Sequence, residues 1–136
     1  MSCKSLIDVT TTTSSAVVAN GTLPLATITR RRGNEIALAG NSIAITDCGS
    51  NYYLVSVTAT FTAPVAGIVT LNLQQNGTNV SGATASTTIT TATTEVRSLS
   101  FQKVIRTFNN GIDSLSVVNT GVAVTFSNID VSVIKL

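Results

Sequence analysis

A chain of 136 residues with 43% hydrophobic and only 10% charged side chains is long enough for one domain with a real core and too short for two ordinary ones. It is too hydrophobic and too weakly charged to be disordered, and a net charge of +2 gives no electrostatic case for nucleic acid or an acidic membrane surface. No apolar run approaches the roughly 18–20 residues that a membrane span needs.

Thr and Val are abundant, and branched side chains fit a pleated, half-buried surface better than a helix. The N-terminus, MSCKSLIDVTTTT, has no apolar core of the secretory-signal kind, so synthesis in a reducing cytosol is expected, with release by cell lysis left open. In that compartment Cys3 and Cys48 are expected as free thiols. Asn20, Asn76 and Asn79 start Asn-X-Thr/Ser triplets, which read here as turn sequence rather than glycosylation sites.

Residues 1–15 are Thr/Ser-rich and are expected to form an N-terminal arm, extended or strand-like around Leu6 to Thr12, with one domain over 16–136. Asn20-Gly21 marks a turn and Pro24 breaks the segment after it. Leu25 to Arg31 alternates and closes at Gly33-Asn34. Short strands Ile36 to Ala39 and Ser42 to Thr46 hinge at Gly40-Asn41.

The clearest strand is Tyr52 to Thr62. Tyr53, Val55, Val57, Ala59 and Phe61 face one way; Tyr52, Leu54, Ser56, Thr58, Thr60 and Thr62 face the other. After Pro64 and Gly67, Val69, Leu71 and Leu73 alternate with polar residues up to Asn76-Gly77, a hairpin signal. Thr78 to Ser81 and Thr84 to Thr91 read as polar edge strands, the Thr-rich run blunting an edge. Glu95 to Thr107 carries Leu99, Phe101 and Ile105 on its apolar face and leads to a turn at Asn109-Asn110-Gly111. Asp113 to Val118, Val122 to Phe126 and Ile129 to Ile134 follow. About 8–10 short antiparallel strands with turn signals between them, and no helical period, predict an all-β sandwich or barrel.

Reactive chemistry is thinly supplied. There is no His, the commonest general base and metal ligand. Asp8, Glu35, Asp47, Glu95, Asp113 and Asp130 are scattered, with no pair at chelating or glycosidase-like spacing, so neither a carboxylate pair nor a metal site is expected. The cysteines lack a CxxC arrangement or a His partner, and no phosphate-binding glycine pattern is present. The chain is not expected to be an enzyme or to hold a cofactor.

Two features remain. Arg30-Arg31-Arg32 could grip carboxylates or phosphates of a partner; the alternative is a solvated strand end with one arginine paired to Glu35. Tyr52 and Tyr53, adjacent on a strand, should place one ring in the core and the other at a neighbouring surface. Tyr52, Tyr53, Leu54, Phe61, Leu71 and Phe101 are the residues expected in the core or in a subunit contact. Leu54 opposite Tyr53 and Val55, and Ile68 opposite Val69, put apolar groups on a strand's second face, which needs another surface to cover it.

The order Gly49-Ser50-Asn51-Tyr52-Tyr53-Leu54-Val55, Val69 to Leu73, then Gln75-Asn76-Gly77-Thr78-Asn79-Val80 resembles C1q/TNF-like jelly rolls. Gly77 to Ala83 is similar to bacterial collagen-tip domains of the BclA type, and Phe126 to Val133 suits that fold's closing strand. Arg30 to Ile45 looks like the lead-in of small bacteriophage virion proteins that carry such domains. The resemblance implies a jelly-roll sandwich forming a homotrimer. It further implies a virion structural protein, a capsid decoration protein bound to the major capsid protein through the N-terminal arm or Arg30–Arg32. The alternative is a tail- or head-fibre tip binding a host-surface glycan. No Gly-X-Y stalk precedes the domain and no acidic calcium cluster is visible, so neither a spore-surface tip nor a metal-dependent site is carried over.

Overall fold

The structure, a computed structural model, describes residues 5–47, 50–108 and 111–136. Cys3, Cys48 and the Asn109-Asn110 turn lie outside the described residues. Among the described residues there is no helix, and therefore none that could cross a membrane.

The strands are β1 (Leu6–Thr11), β2 (Ser15–Val17), β3 (Gly21–Thr22), β4 (Thr27–Arg32), β5 (Ile36–Ala39), β6 (Ser42–Asp47), β7 (Tyr52–Thr62), β8 (Gly67–Gln75), β9 (Thr78–Ile89), β10 (Arg97–Arg106), β11 (Gly111–Asn119) and β12 (Val124–Lys135). They form two antiparallel sheets. Sheet A runs β10-β7-β12-β1-β4, with β2 beside β12; sheet B runs β5-β6-β11-β8-β9, with β3 beside β11. The chain passes repeatedly from one sheet to the other, so neighbours in a sheet come from distant parts of the sequence. Contacts between β9 and β10, and between β1 and β5, close the sandwich along its two sides.

The core forms because nearly every long strand alternates. In β7, Tyr53, Val55, Val57, Ala59 and Phe61 are all buried, as the period of two predicts. Facing them from sheet B are Ile43, Ile45, Val69, Leu71, Leu73, Leu115 and Val117. Phe61 and Phe126, paired in register across β7 and β12, meet edge to face with centroids 5.6 Å apart.

Asn76 and Gly77 both take left-handed backbone angles (φ 55° and 81°), which makes the two-residue β8–β9 hairpin that this dipeptide favours. At the β11–β12 connection the backbone packs directly on β8. Thr120 N donates to Thr70 O (2.9 Å) and Val122 N to Ile68 O (3.0 Å), leaving no room for a side chain at Gly121.

Three expectations are adjusted. Leu6–Thr11, expected in an N-terminal arm, is hydrogen-bonded on both sides, to β12 and β4, with Ile7 and Val9 fully buried. Thr78–Ser81 and the expected second strand from Thr84 belong to one strand, β9, which absorbs Gly82 at φ 81° and ends at Ile89, short of Thr91. While Val122 stays in the β11–β12 connection, Phe126 and Ile129–Ile134 likewise fall in one strand, β12, which starts at Val124. Its register against β7 shifts between Phe126 and Asn128, and this bulge hides its continuity.

Candidate interaction surface

Alternation that buries one side of sheet A leaves its other side outward. There Val104 of β10, Leu54 of β7, Ile134 of β12 and Leu6 of β1 stand in register as one continuous apolar row across four strands. Val104 is 48% and Ile134 40% exposed, and Leu54 and Leu6 are half-buried by their neighbours. Tyr52 (53%) and Leu136 (55%) extend the row at the same end, where Leu136 N donates to Tyr52 O. Isolated exposed apolar residues are ordinary, but an in-register row of them is not.

The residues expected in core or contact separate cleanly. Tyr53, Phe61 and Leu71 are fully buried in the core; Phe101 packs partly against it from the edge strand β10; Tyr52 and Leu54 lie on the outward face. Ile68, the other second-face residue, is 58% exposed on the outside of sheet B, so one covering surface cannot serve both it and Leu54.

Behind the apolar row a polar network ties the two sheets together. Tyr53 Oη donates to Asp47 Oδ2 (2.6 Å), Asn51 Nδ2 donates to the same oxygen (2.8 Å), and Lys135 Nζ lies 3.4 Å from it. Lys135 Nζ also bridges Glu35 Oε2 at 2.9 Å, and Ser5 Oγ donates there at 3.3 Å. Burial alone would raise the Asp47 pKa, but the bonds from Tyr53, Lys135 and Asn51 outweigh it and hold the carboxyl below the ordinary range. Burial, reinforced by Asp47, pushes the Tyr53 hydroxyl up, so it stays a donor. Nothing in this network is aimed at a cavity, and its role is to staple the ends of β1, β6, β7 and β12.

Asp47→Ala removes the short bond of the buried Tyr53 hydroxyl, leaving only the long one to Glu35 Oε2 (3.4 Å), and is expected to lower unfolding stability by about 1–2 kcal/mol at neutral pH. A depressed folded pKa contributes stability that is present above the unfolded value of about 4 and is lost as pH falls through the folded value. Urea midpoints at pH 7 and pH 3 should therefore show the gap between wild type and variant shrinking with acid.

Arg30, Arg31 and Arg32 all lie exposed on β4, the free edge of sheet A. Arg30 and Arg32 stand opposite Asp8 and Leu6 on the outward face, and Arg31 stands on the other side opposite Ile7, its Nε donating to Ile36 O (3.1 Å). The alternative pairing of an arginine with Glu35 is not formed among the described residues, where Lys135 from the closing strand reaches that carboxylate instead.

Nor are the acids all scattered. Asp8 and Asp130 come together on the outward face of sheet A, brought there by β1–β12 pairing across 122 residues of sequence. The remaining exposed feature is a shallow depression of about 350 Å³ lined by Gln75, Asn76, Thr78, Asn79, Val80 and Phe108. Its amides are largely spent, since Gln75 Nε2 and Asn76 Nδ2 both donate to Asp113 Oδ1 (3.2 and 2.8 Å). Among the described residues no group of three His, Cys, Asp or Glu side chains could hold a metal ion.

No family model and no curated protein matches the chain. Solved structures do. Murine APRIL superposes with a TM-score of 0.70 at 12% identity, over 98% of this chain and 100% of that one. The globular domain of zebrafish complement 1qA gives 0.62 at 9% identity, over 94% of each chain. The fold is a C1q/TNF-like jelly roll.

The same jelly roll occurs in the PRD1 vertex protein P5, which matches at 0.64 and 14% identity over 97% of this chain and 96% of that one. At such identities the shared property is the backbone, so the surface features of this jelly roll are its own. Two of them, the Tyr53–Asp47–Lys135–Glu35 network and the Asp8–Asp130 pair, carry no signal in the linear sequence.

Proposed function

We propose that the chain is a non-enzymatic virion structural protein, a trimeric capsid decoration protein that acts by contact alone. The observation that carries the reading is the apolar row Val104–Leu54–Ile134–Leu6, a formed and uncovered strip on a fold that a vertex protein also uses. Self-association of three copies through the outward face of sheet A covers that row, and C1q/TNF-like jelly rolls usually assemble as trimers. The major capsid protein, or another virion protein, is then met at the rim of this face, along the edge strand β4.

Arg30–Arg32 on the free edge β4 supply that second contact. With β1 locked between β12 and β4, residues 6–11 are not free to reach a partner, and the docking role passes to the exposed arginines. Guanidinium groups on an edge strand suit carboxylates of a shell protein. The fibre-tip alternative has less to stand on, because the depression beside the β8–β9 hairpin offers a single ring, Phe108, and amides already bound to Asp113.

Mass spectrometry of purified particles from the virus that encodes the chain should find it in fixed stoichiometry. Arg30→Glu, Arg31→Glu and Arg32→Glu combined should reduce its occupancy on particles at least tenfold without unfolding it, a shift worth about 1.4 kcal/mol or more. Particles that never contain the chain would sink the reading. Specific saturable binding on a glycan array would move it to the fibre tip.

A further inference from the structure

We propose that association through the outward face of sheet A is linked to protons: the Asp8–Asp130 pair enters the contact holding one shared proton, so alkaline solution opens the assembly. The inference rests on the self-association reading above and concerns its regulation.

Thr10 stands opposite Asp130 and Asp8 opposite Ser132, so the two carboxyls are diagonal neighbours on the outward face of adjacent strands. Two half-buried carboxyls placed so resist being ionised together, so one keeps its proton. The environment decides which. Asp8 Oδ2 accepts from Thr29 Oγ1 (2.7 Å), Asp8 Oδ1 accepts from Ser132 Oγ (3.4 Å), and Arg30 adds a favourable charge. Asp130 has none of this help, and its Oδ1 is the single buried side-chain oxygen without a partner among the described residues. Asp8 is thus the carboxylate and Asp130 the acid.

Burial first, then the bond to Asp8 and its charge, hold the Asp130 pKa up at about 7, while the bond from Asp130 holds Asp8 below the usual range. The positions beside the pair on β7 and β10 are Ser56, Thr58, Ser100 and Gln102, so among the described residues Arg30 is the charge that faces it. Along β12, Asp130 lies two outward positions from Ile134. A partner surface seated on the apolar row reaches the pair and dries it further. Drying disfavours the doubly charged form, so association takes up a proton wherever the free protomer has lost it. By linkage, affinity falls as pH rises above about 7, by up to tenfold per pH unit for each proton taken up.

Sedimentation velocity of the full chain over a concentration series at pH 5.5 and pH 8.5 tests this. Wild type should associate at least tenfold more weakly at pH 8.5. Asp130→Asn, which keeps a donor for Asp8 but cannot ionise, should associate equally at both values. Equal wild-type affinity at the two pH values would overturn the inference and leave the self-association reading intact, as would an Asp130→Asn chain with the full wild-type pH dependence. A chain monomeric at every pH and concentration would overturn both.

Discussion

Leu54→Arg is expected to turn the proposed trimer into folded monomers, weakening association at least about 1,000-fold. Leu54 sits in the middle of the apolar row, flanked in register by Ile134 on β12 and Val104 on β10. Its side chain points away from the core, where Tyr53 and Val55 point inward on the same strand. An arginine there costs the isolated protomer little, within about 1 kcal/mol, because outward positions away from special features tolerate change. In the assembly each of three guanidinium groups would be buried against Leu, Ile and Val without a carboxylate, at several kcal/mol per charge. Sedimentation gives the association state, and a urea melt of the same sample checks that the fold survives. A Leu54→Arg chain that remains trimeric would show that the contact lies elsewhere.

Phe126→Ala should have the opposite signature, with the fold lost before assembly can be asked about. Phe126 is fully buried and meets Phe61 edge to face, at the point where β12 leaves its register with β7. Truncating a buried Phe removes its transfer free energy and leaves a cavity, about 3–5 kcal/mol together. Losing the aromatic pair adds about 1 kcal/mol. Against a domain stability of about 5–15 kcal/mol this leaves a marginal chain. Urea titration should show a sharply lower midpoint with an unchanged slope. A loss below about 1 kcal/mol would mean that the two rings are not packed as described.

What could be read from the linear sequence followed local periodicity. β7 was legible to the residue because alternation over Tyr52–Thr62 is uninterrupted, and the β8–β9 hairpin because Asn-Gly favours one turn. β12 and β9 each looked like two strands because a bulge or a left-handed glycine interrupts the period without ending the strand. Which face of each strand was greasy was legible; which sheet it belonged to was not, so nothing local told that Leu54 and Ile68 lie on different sheets. Arg30–Arg32 stood out as a run, whereas the bond between Lys135 and Glu35 spans 100 residues and leaves no local trace. The Asp8–Asp130 pair was hidden for the same reason, because only the closing of β12 on β1 brings the two acids together.

The most direct measurement of the central claim is the mass of the purified chain in solution at about 10 µM and pH 6, where the Asp8–Asp130 pair keeps its proton. Three copies of the 14.0 kDa chain, about 42 kDa, is the result the apolar row predicts. A single 14.0 kDa species would contradict it, since the row Val104–Leu54–Ile134–Leu6 would then stand open to water with no copy of itself to cover it.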